Sequence, residues 1–397
     1  MPTVSLDQGG EGGGRVLAVC LNPALDITYQ VDALRRGTTH RVRRVYTRAG
    51  GKGLNVARVL RSLGVPVVVA GFAGGATGRY LEEELSQEAC ESRWTWVEGE
   101  TRRCLAVFEE SVAQATEFNE PGPEISPAAW AEFVSRFEEW VRRDGFAAVV
   151  FSGSLPPGLP GDAYARLIRL AREAGVPTVL DTSGEALRHG LAAAPDLIKP
   201  NLRELEELMA QPGRGGVVPG GWGPRGGIAE PPVSPQRRPL DGEGASAVPL
   251  NAPPAPGDSA AAEPLPSEEE ILGEAGGVDG APPRLQEVRR VAEALRGAGP
   301  GAVVVSMGAG GVVAATPAGT WWAHGPVVRG NPVGAGDALV AALVHGALRR
   351  WAWPERLAHA VAVAGVAVVS PVAGRFEAAA YASLRQQVRV VALSPEA

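Results

Sequence analysis

Short apolar runs rich in valine and alanine, each closed by a glycine or a polar residue and followed by an amphipathic stretch of helical period, recur along most of this chain. VLAVCL is the first such run, and VPVVVAGFAGG, AAVVFS, PTVLD, LIKPN and GAVVVSMGAGG follow it. Between them the spacing predicts helices over 54–63, with Val56, Val59, Leu60 and Leu63 on one face, and over 80–88, 162–173 and 202–209. EVRRVAEALRGAG and the glycine-opened VGAGDALVAALVHGAL predict two more. Strands that return through helices pair in parallel, so the alternation predicts an α/β fold with a mostly parallel sheet covered on both faces. Two segments break the rhythm. Residues 28–47 and 104–118 have strand-like content without an adjoining helix, and they predict a small β sheet over the active face, a lid.

One long segment does not fit the alternation. Residues 211–284 hold 15 prolines and 15 glycines in 74 positions, with Pro-Pro pairs at 231, 253 and 282. Such a composition buries too little apolar surface to offset its ordering entropy, so the sequence predicts a disordered insertion. Growing a loop from about 6 to about 74 residues costs only about 2 kcal/mol of closure entropy, which a folded core tolerates. The segment reads either as a solvated insertion or as a docking segment for an unknown partner. Residues 1–14 read as a flexible Gly-rich tail, leaving 15–210 and 285–390 as the folded domain.

Composition narrows the function. With 38 basic and 44 acidic residues the formal net charge is −6, so no basic surface invites nucleic acid or an anionic membrane. The three cysteines, Cys20, Cys90 and Cys104, show no CxxC, and the five histidines no HExxH spacing, so neither a disulfide framework nor a zinc site is indicated. The start of the chain lacks a signal peptide's basic and apolar regions, and the longest apolar stretch, 358–369, is too short to span a bilayer. A cytoplasmic enzyme is the expectation.

Four glycine-rich or strand-end segments carry the candidate chemistry. Gly334-Ala335-Gly336-Asp337 opens an apolar helix, where exposed amides and roughly half a positive charge from the helix dipole make an anion hole. Asp337 itself could be a base or merely a helix cap. Gly50-Gly51-Lys52-Gly53-Leu54-Asn55 also precedes a helix but lacks the P-loop spacing, so it is either a tight turn or a ligand loop with Lys52 as a point charge. The run from Ser306 through Gly308 to Gly310 and Gly311 ends one strand, and Lys199-Pro200-Asn201 with Glu204 one turn on ends another. Open α/β sheets bind ligands at such strand ends. Together the residue types suit a phosphoryl transfer: a glycine shelf, an acid for magnesium, a base and a basic pocket.

AGGKGLNVARVL and NPVGAGDALVAALVHG resemble the two signature stretches of the PfkB (ribokinase-like) carbohydrate kinases, and the likeness covers the chain outside the tail and the 211–284 segment. LNPALDITYQVDAL, GETRRCLAVF, TEFNEPGPEI, FSGSLPPGLP and LDTSGEAL resemble the branch of 1-phosphofructokinase, the minor 6-phosphofructokinase and tagatose-6-phosphate kinase, with NPVG and ETRRC most similar to the last. The resemblance implies a ribokinase-like three-layer α/β/α fold with a small β lid, and Mg²⁺ with ATP as donor. It makes Asp337 the general base and Gly334, Ala335 and Gly336 the anion hole. Asp26, Gly51, Lys52 and Asn55 become sugar ligands and Arg102 the ligand of the substrate's existing phosphate. Lys199, Asn201, Ser306, Gly308, Gly310 and Gly311 fall on the nucleotide side, with Glu204 toward magnesium or its waters. Ala106, where some relatives have a lysine, and Ala338, where serine is usual, depart from the pattern.

The implied reaction turns a ketohexose phosphate into its bisphosphate, with Asp337 acting near an ordinary carboxylate pKa because a loose transition state asks little of its base. The rival readings are a kinase of an unphosphorylated sugar or nucleoside, an inert sugar-phosphate sensor, and a scaffold built around the 211–284 segment. Sugar phosphate and ATP are the expected partners; a homodimer stays open.

Overall fold

The computed structural model describes residues 14–112, 114–210, 284–370 and 378–393. All but the last residue of the predicted tail, Gly14, and all but the last residue of the predicted insertion therefore lie outside the described residues. That last residue, Arg284, caps a helix and pairs with Glu287 at 3.0 Å and with Glu206 at 2.5 Å, so it belongs to the folded body.

In chain order the elements are β1 (Val16–Cys20), β2 (Ala24–Val31), β3 (Arg44–Gly50), α1 (Lys52–Ser62), β4 (Val67–Ala73), α2 (Gly75–Gln87) and β5 (Glu91–Trp96). Then come β6 (Arg102–Glu109), β7 (Gln114–Asn119), α3 (Pro127–Arg143), β8 (Ala148–Ser152), α4 (Ala163–Glu173), β9 (Thr178–Asp181) and α5 (Gly184–Ala192). The rest are β10 (Leu197–Ile198), α6 (Leu202–Ala210), α7 (Leu285–Gly297), β11 (Ala302–Ser306), β12 (Val312–Thr316), β13 (Gly319–His324), α8 (Ala335–Leu348), α9 (Trp353–Val369), α10 (Ala378–Gln387) and β14 (Arg389–Ala392).

Ten strands form the central sheet in the order β14-β13-β12-β11-β10-β9-β8-β1-β4-β5. From β5 to β11 every pairing is parallel; β12, β13 and β14 extend the sheet antiparallel. β1, β4 and β8 are buried along their whole length, as continuous apolar runs in a two-sided sheet must be. One face is covered by α1, α2, α8 and α9, the other by α3 to α7, giving the predicted three layers. α3 shows how the sequence sets a helix. Ser126 accepts the Ala129 amide at 3.2 Å, Pro127 starts the first turn, and Trp130, Phe133, Phe137 and Trp140 face the core.

The remaining four strands form a separate sheet, β3-β2-β6-β7. The expected strand content of 28–47 and 104–118 is therefore present, but the strands begin earlier, at Ala24 and Arg102, and a loop separates β2 from β3. Its register sets Asp26 opposite Arg48 and Cys104, and Ala106 opposite Glu117.

Candidate active site

Strand order reverses at β1, whose neighbours are β4 on one side and β8 on the other. Beyond the carboxyl ends of the parallel strands, where such a reversal opens a crevice, lies a cleft of about 1040 Å³. The ends of β8, β9, β10 and β11 supply its floor, the amino ends of α1 and α8 its back, and the four-stranded sheet its roof. Of the residues predicted from sequence, all line this cleft except Gly310 and Glu204. The Gly310 carbonyl instead accepts the Trp322 indole N–H at 2.9 Å, which pins the turn after β11 rather than facing a ligand.

At the back, Gly334 adopts φ 84°, a left-handed conformation open to glycine, and starts α8. Ala338 donates to the Gly334 carbonyl at 2.9 Å and Ala335 to that of Pro332 at 3.2 Å, while the amides of Gly336 and Asp337 find no acceptor among the described residues. These two donors point where the helix dipole is positive, an arrangement that takes an anion. Asp337 is 5% exposed and does not cap its own helix; its Oδ2 accepts from Asn55 Nδ2 at 2.9 Å across from α1. Burial, then the Asp181 carboxylate, push its pKa up to about 7, against the pull of Lys52, Asn55 and Lys199. An ordinary carboxylate pKa is thus corrected. Burial beside a second carboxylate holds Asp337 near neutrality, the range suited to a general base.

Asp181, at the end of β9, is the residue that sequence reasoning missed. It is 1% exposed, and its Oδ1 lies 3.3 Å from Lys199 Nζ and 3.6 Å from Lys52 Nζ. Lys52 Nζ is in turn 3.6 Å from Glu204 Oε1, and the Asp181 carboxylate, helped by those of Glu204 and Asp337, keeps Lys52 firmly protonated against the effect of its burial. A Cβ on Gly336 would lie 3.6 Å from Lys199 Nζ, which places this ammonium directly against the turn. The advance signals were an acid closing the apolar run PTVLD and its place in the stretch LDTSGEAL.

Asn201 and Glu204 share a local task. Asn201 Oδ1 accepts the Glu204 amide at 2.8 Å and Glu204 Oε2 accepts the Asn201 amide at 2.9 Å, a reciprocal capping box at the start of α6. Among the described residues no group of three or more His, Cys, Asp or Glu side chains could hold a metal ion. Carboxylates already shared with lysines and amides do not make a cage. They fit a Mg²⁺ ion that arrives on substrate phosphates and keeps its waters, as this cation commonly does.

At the other end, Asp26 Oδ2 accepts the Gly51 amide at 3.3 Å, and a Cβ on Gly50 would fall 2.0 Å from that oxygen. Glycine at 50 is what lets the carboxylate lie against the loop. Burial raises the Asp26 pKa to about 6, with the Gly51 amide and Arg102 pulling it back. Arg102 enters the cleft, while Arg103 on the opposite face forms an exposed 2.7 Å pair with Glu120. Burial pushes the thiols of Cys20 and Cys104 up to about 11 and 12, so neither is a nucleophile near neutral pH. Beyond the turn after β11, Val312, Leu339, Val361 and Val368 make an apolar wall.

The family model described as "pfkB family carbohydrate kinase" matches residues 19–218 and 265–377. The chain belongs to the PfkB carbohydrate kinase family. Solved structures at low identity share the fold of this PfkB kinase. A putative phosphofructokinase from Staphylococcus aureus is 23% identical with TM-score 0.63, covering 96% of this chain and 100% of its own. Phosphofructokinase-2 from Escherichia coli in complex with fructose-6-phosphate is 22% identical, with TM-score 0.68 and coverages of 94% and 98%. A possible 1-phosphofructokinase from Thermotoga maritima is 23% identical, with TM-score 0.67 and coverages of 96% and 100%. No helix among the described residues is long and apolar enough to cross a membrane.

Proposed function

We propose that this PfkB kinase transfers the γ-phosphoryl group of ATP to a hydroxyl of a ketohexose phosphate, with tagatose 6-phosphate or fructose 1-phosphate as its substrate. The observation that carries this reading is one cleft with a base and an anion-binding turn at its back and, at its other end, Arg102, which forms no ion pair among the described residues. Asp337 takes the proton of the attacking hydroxyl as the oxygen–phosphorus bond forms and the bond to ADP breaks. The Gly336 and Asp337 amides and the Lys52 and Lys199 ammonium groups face the charge spreading over the phosphoryl oxygens. Asp26 and Asn55 orient the sugar, and Arg102 holds its resident phosphate through charge-assisted hydrogen bonds. Ser306, Gly308 and Gly311 with the apolar wall take the nucleotide. Glu204 would face Mg²⁺ or its waters, and that cation would supply neutralising charge for the polyphosphate. The four-stranded sheet would act as the lid, excluding water from the reaction.

A second reading has one observation in its favour. Glu117, the cross-strand partner of Ala106, lines the same end of the cleft, and its carboxylate disfavours a phosphate there. It would suit an unphosphorylated sugar. Coupled ADP-release kinetics on fructose 1-phosphate, fructose 6-phosphate, tagatose 6-phosphate and the free sugars separate the two. Arg102→Ala should raise KM for the phosphorylated substrate about ten- to a hundredfold with KM for ATP little changed, since charge-assisted bonds contribute about 1.5–3 kcal/mol each. Arg103→Ala should do far less. Equal turnover of phosphorylated and free sugar, or no selective loss in Arg102→Ala, would make the simple sugar kinase the better account.

A further inference from the structure

Within the motif LNPALD, Asn22 has no part in the proposed chemistry, yet it is 3% exposed and stands where β1 passes into β2. Its side-chain amide donates to the Pro121 carbonyl at 3.0 Å and to Ser154 Oγ at 3.1 Å, joining the ends of β7 and β8 to that of β1. Its backbone carbonyl accepts Arg102 Nε at 3.1 Å, and the neighbouring Glu120 carbonyl accepts Arg102 Nη1 at 3.2 Å. Gly122, at φ 97°, completes the fit, because a Cβ there would stand 2.3 Å from Asn22 Oδ1. The start of β6 is fixed separately. Thr101 exchanges hydrogen bonds with Gly74 at 3.0 Å, and Glu100 accepts the Ala76 and Thr77 amides at 2.9 and 3.0 Å. With its backbone held in this way, the aim of the Arg102 guanidinium depends on the two carbonyls it rests on.

We propose that Asn22 is a positioning residue for the sugar end of the cleft: by clamping the 120–122 turn and Ser154 onto the end of β1, it fixes the carbonyl pair that aims Arg102. Two of the guanidinium nitrogens are occupied by backbone acceptors, and Nη2, which has no acceptor among the described residues, is left for an anion. An arginine pre-aimed in this way loses less side-chain entropy on binding than a free one. The inference rests on the reading of Arg102 as a phosphate ligand, and its test keeps the two apart.

Asn22→Asp preserves shape and removes both donors but adds a carboxylate beside Arg102, so the charge-free variant is the deciding arm. Gly122→Ala pushes on the same clamp from the other side without deleting any polar group. Each is assayed in the full-length enzyme with the best of the three sugar phosphates, alone and combined with Arg102→Ala, well below its Tm. Either variant should raise KM for the sugar phosphate about tenfold, leave KM for ATP within about twofold, and add less than about twofold once Arg102 is absent, because coupled residues are non-additive. Losses that persist undiminished beside Arg102→Ala, or that affect ATP equally, overturn the positioning role. If Arg102→Ala alone shows no selective loss, the phosphosugar reading fails instead. Should Asn22→Asp not fold, Gly122→Ala decides the question by the same comparison.

Discussion

Replacing Asp337 by asparagine should disable the enzyme and make it more stable, and the size of the gain should depend on pH. The substitution keeps the shape and keeps an oxygen to accept from Asn55. What it removes is a buried charge. Burial and Asp181 lift the carboxyl from 3.8 to about 7, and a shift of that size corresponds to about 4 kcal/mol between charged and neutral forms. The direction follows from proton linkage. Below the unfolded pKa, near 4, the carboxyl is protonated in both states and adds no penalty. As pH rises toward 7 the unfolded chain ionises first, so stability is lost; above 7 the full penalty is present. Asparagine carries none of it. The variant should therefore unfold several degrees higher than wild type at pH 8, with the difference fading toward pH 4, and about 4 kcal/mol is its ceiling. Its kcat should fall by about 10²–10⁴-fold, the usual worth of a positioned base. Thermal melts from pH 4 to 8 beside coupled turnover assays read both. A lower Tm at pH 8, or a gain independent of pH, would refute the argument from burial. Near-normal turnover would remove Asp337 from the chemistry.

Other outcomes follow from the same geometry. Asp181→Asn removes the neighbouring carboxylate and should move the acid limb of the kcat–pH profile below its wild-type position, whereas Lys52→Met removes a cation and should move it up; parallel shifts would contradict the assigned causes. Because Arg284 and Glu206 already pair at 2.5 Å, the ends of α6 and α7 are adjacent. Replacing residues 211–283 with a short Gly/Ser linker should therefore leave kcat within a few-fold and Tm nearly unchanged, and loss of the folded state would show that the segment packs on the core. His359 bonds His345 at 3.1 Å and Tyr381 at 2.6 Å, and burial, then His345, lower its pKa from 6.5 to about 4. Its folded pKa is depressed, so its contribution to stability is present above pH 6.5 and lost as pH falls toward 4. His359→Gln should flatten the decline of Tm between pH 7 and 5, and an unchanged slope would exclude the residue as its source.

The alternation of apolar runs and amphipathic stretches carries the parallel half of the sheet, because β1, β4, β8, β9 and β10, and β11 up to Ser306, are buried and the sequence must show it. β12, β13 and β14 were less legible. They pair antiparallel at the margin, and runs such as VVAAT and GTWWAH are too short to separate strand from turn by pattern. At the site, the glycine turns were readable because Gly51 and Gly334 take backbone angles that favour glycine. Asp181 was not, since an acid at a strand end looks the same whether it faces water or two lysines. The raised pKa of Asp337 was equally out of reach of the sequence. Burial and Asp181 on β9 make it, against Lys52 and Asn55 on α1 and Lys199 just after β10, groups that meet only in the folded chain. Asn201 and Glu204 were read only as nucleotide and magnesium residues, and the structure adds the capping box they form with each other.

The four-stranded sheet meets the main body through four crossings of the chain: at 21–23, at Gly51, at 97–101 and at 120–126. All four lie along one rim, and Asn22, Asp26 and Arg102 sit on it or immediately beside it. In mechanical terms this is a plate hung on four straps from a single edge, with Arg48 on β3 tied to Glu84 and Glu88 at α2 as a further brace. A load applied to Asp26 or Arg102 falls on the straps themselves. If the plate pitches about that edge, its tilt and its grip on whatever lies beneath it would be one coordinate, and a variant with a wider grip would also rest at a different angle.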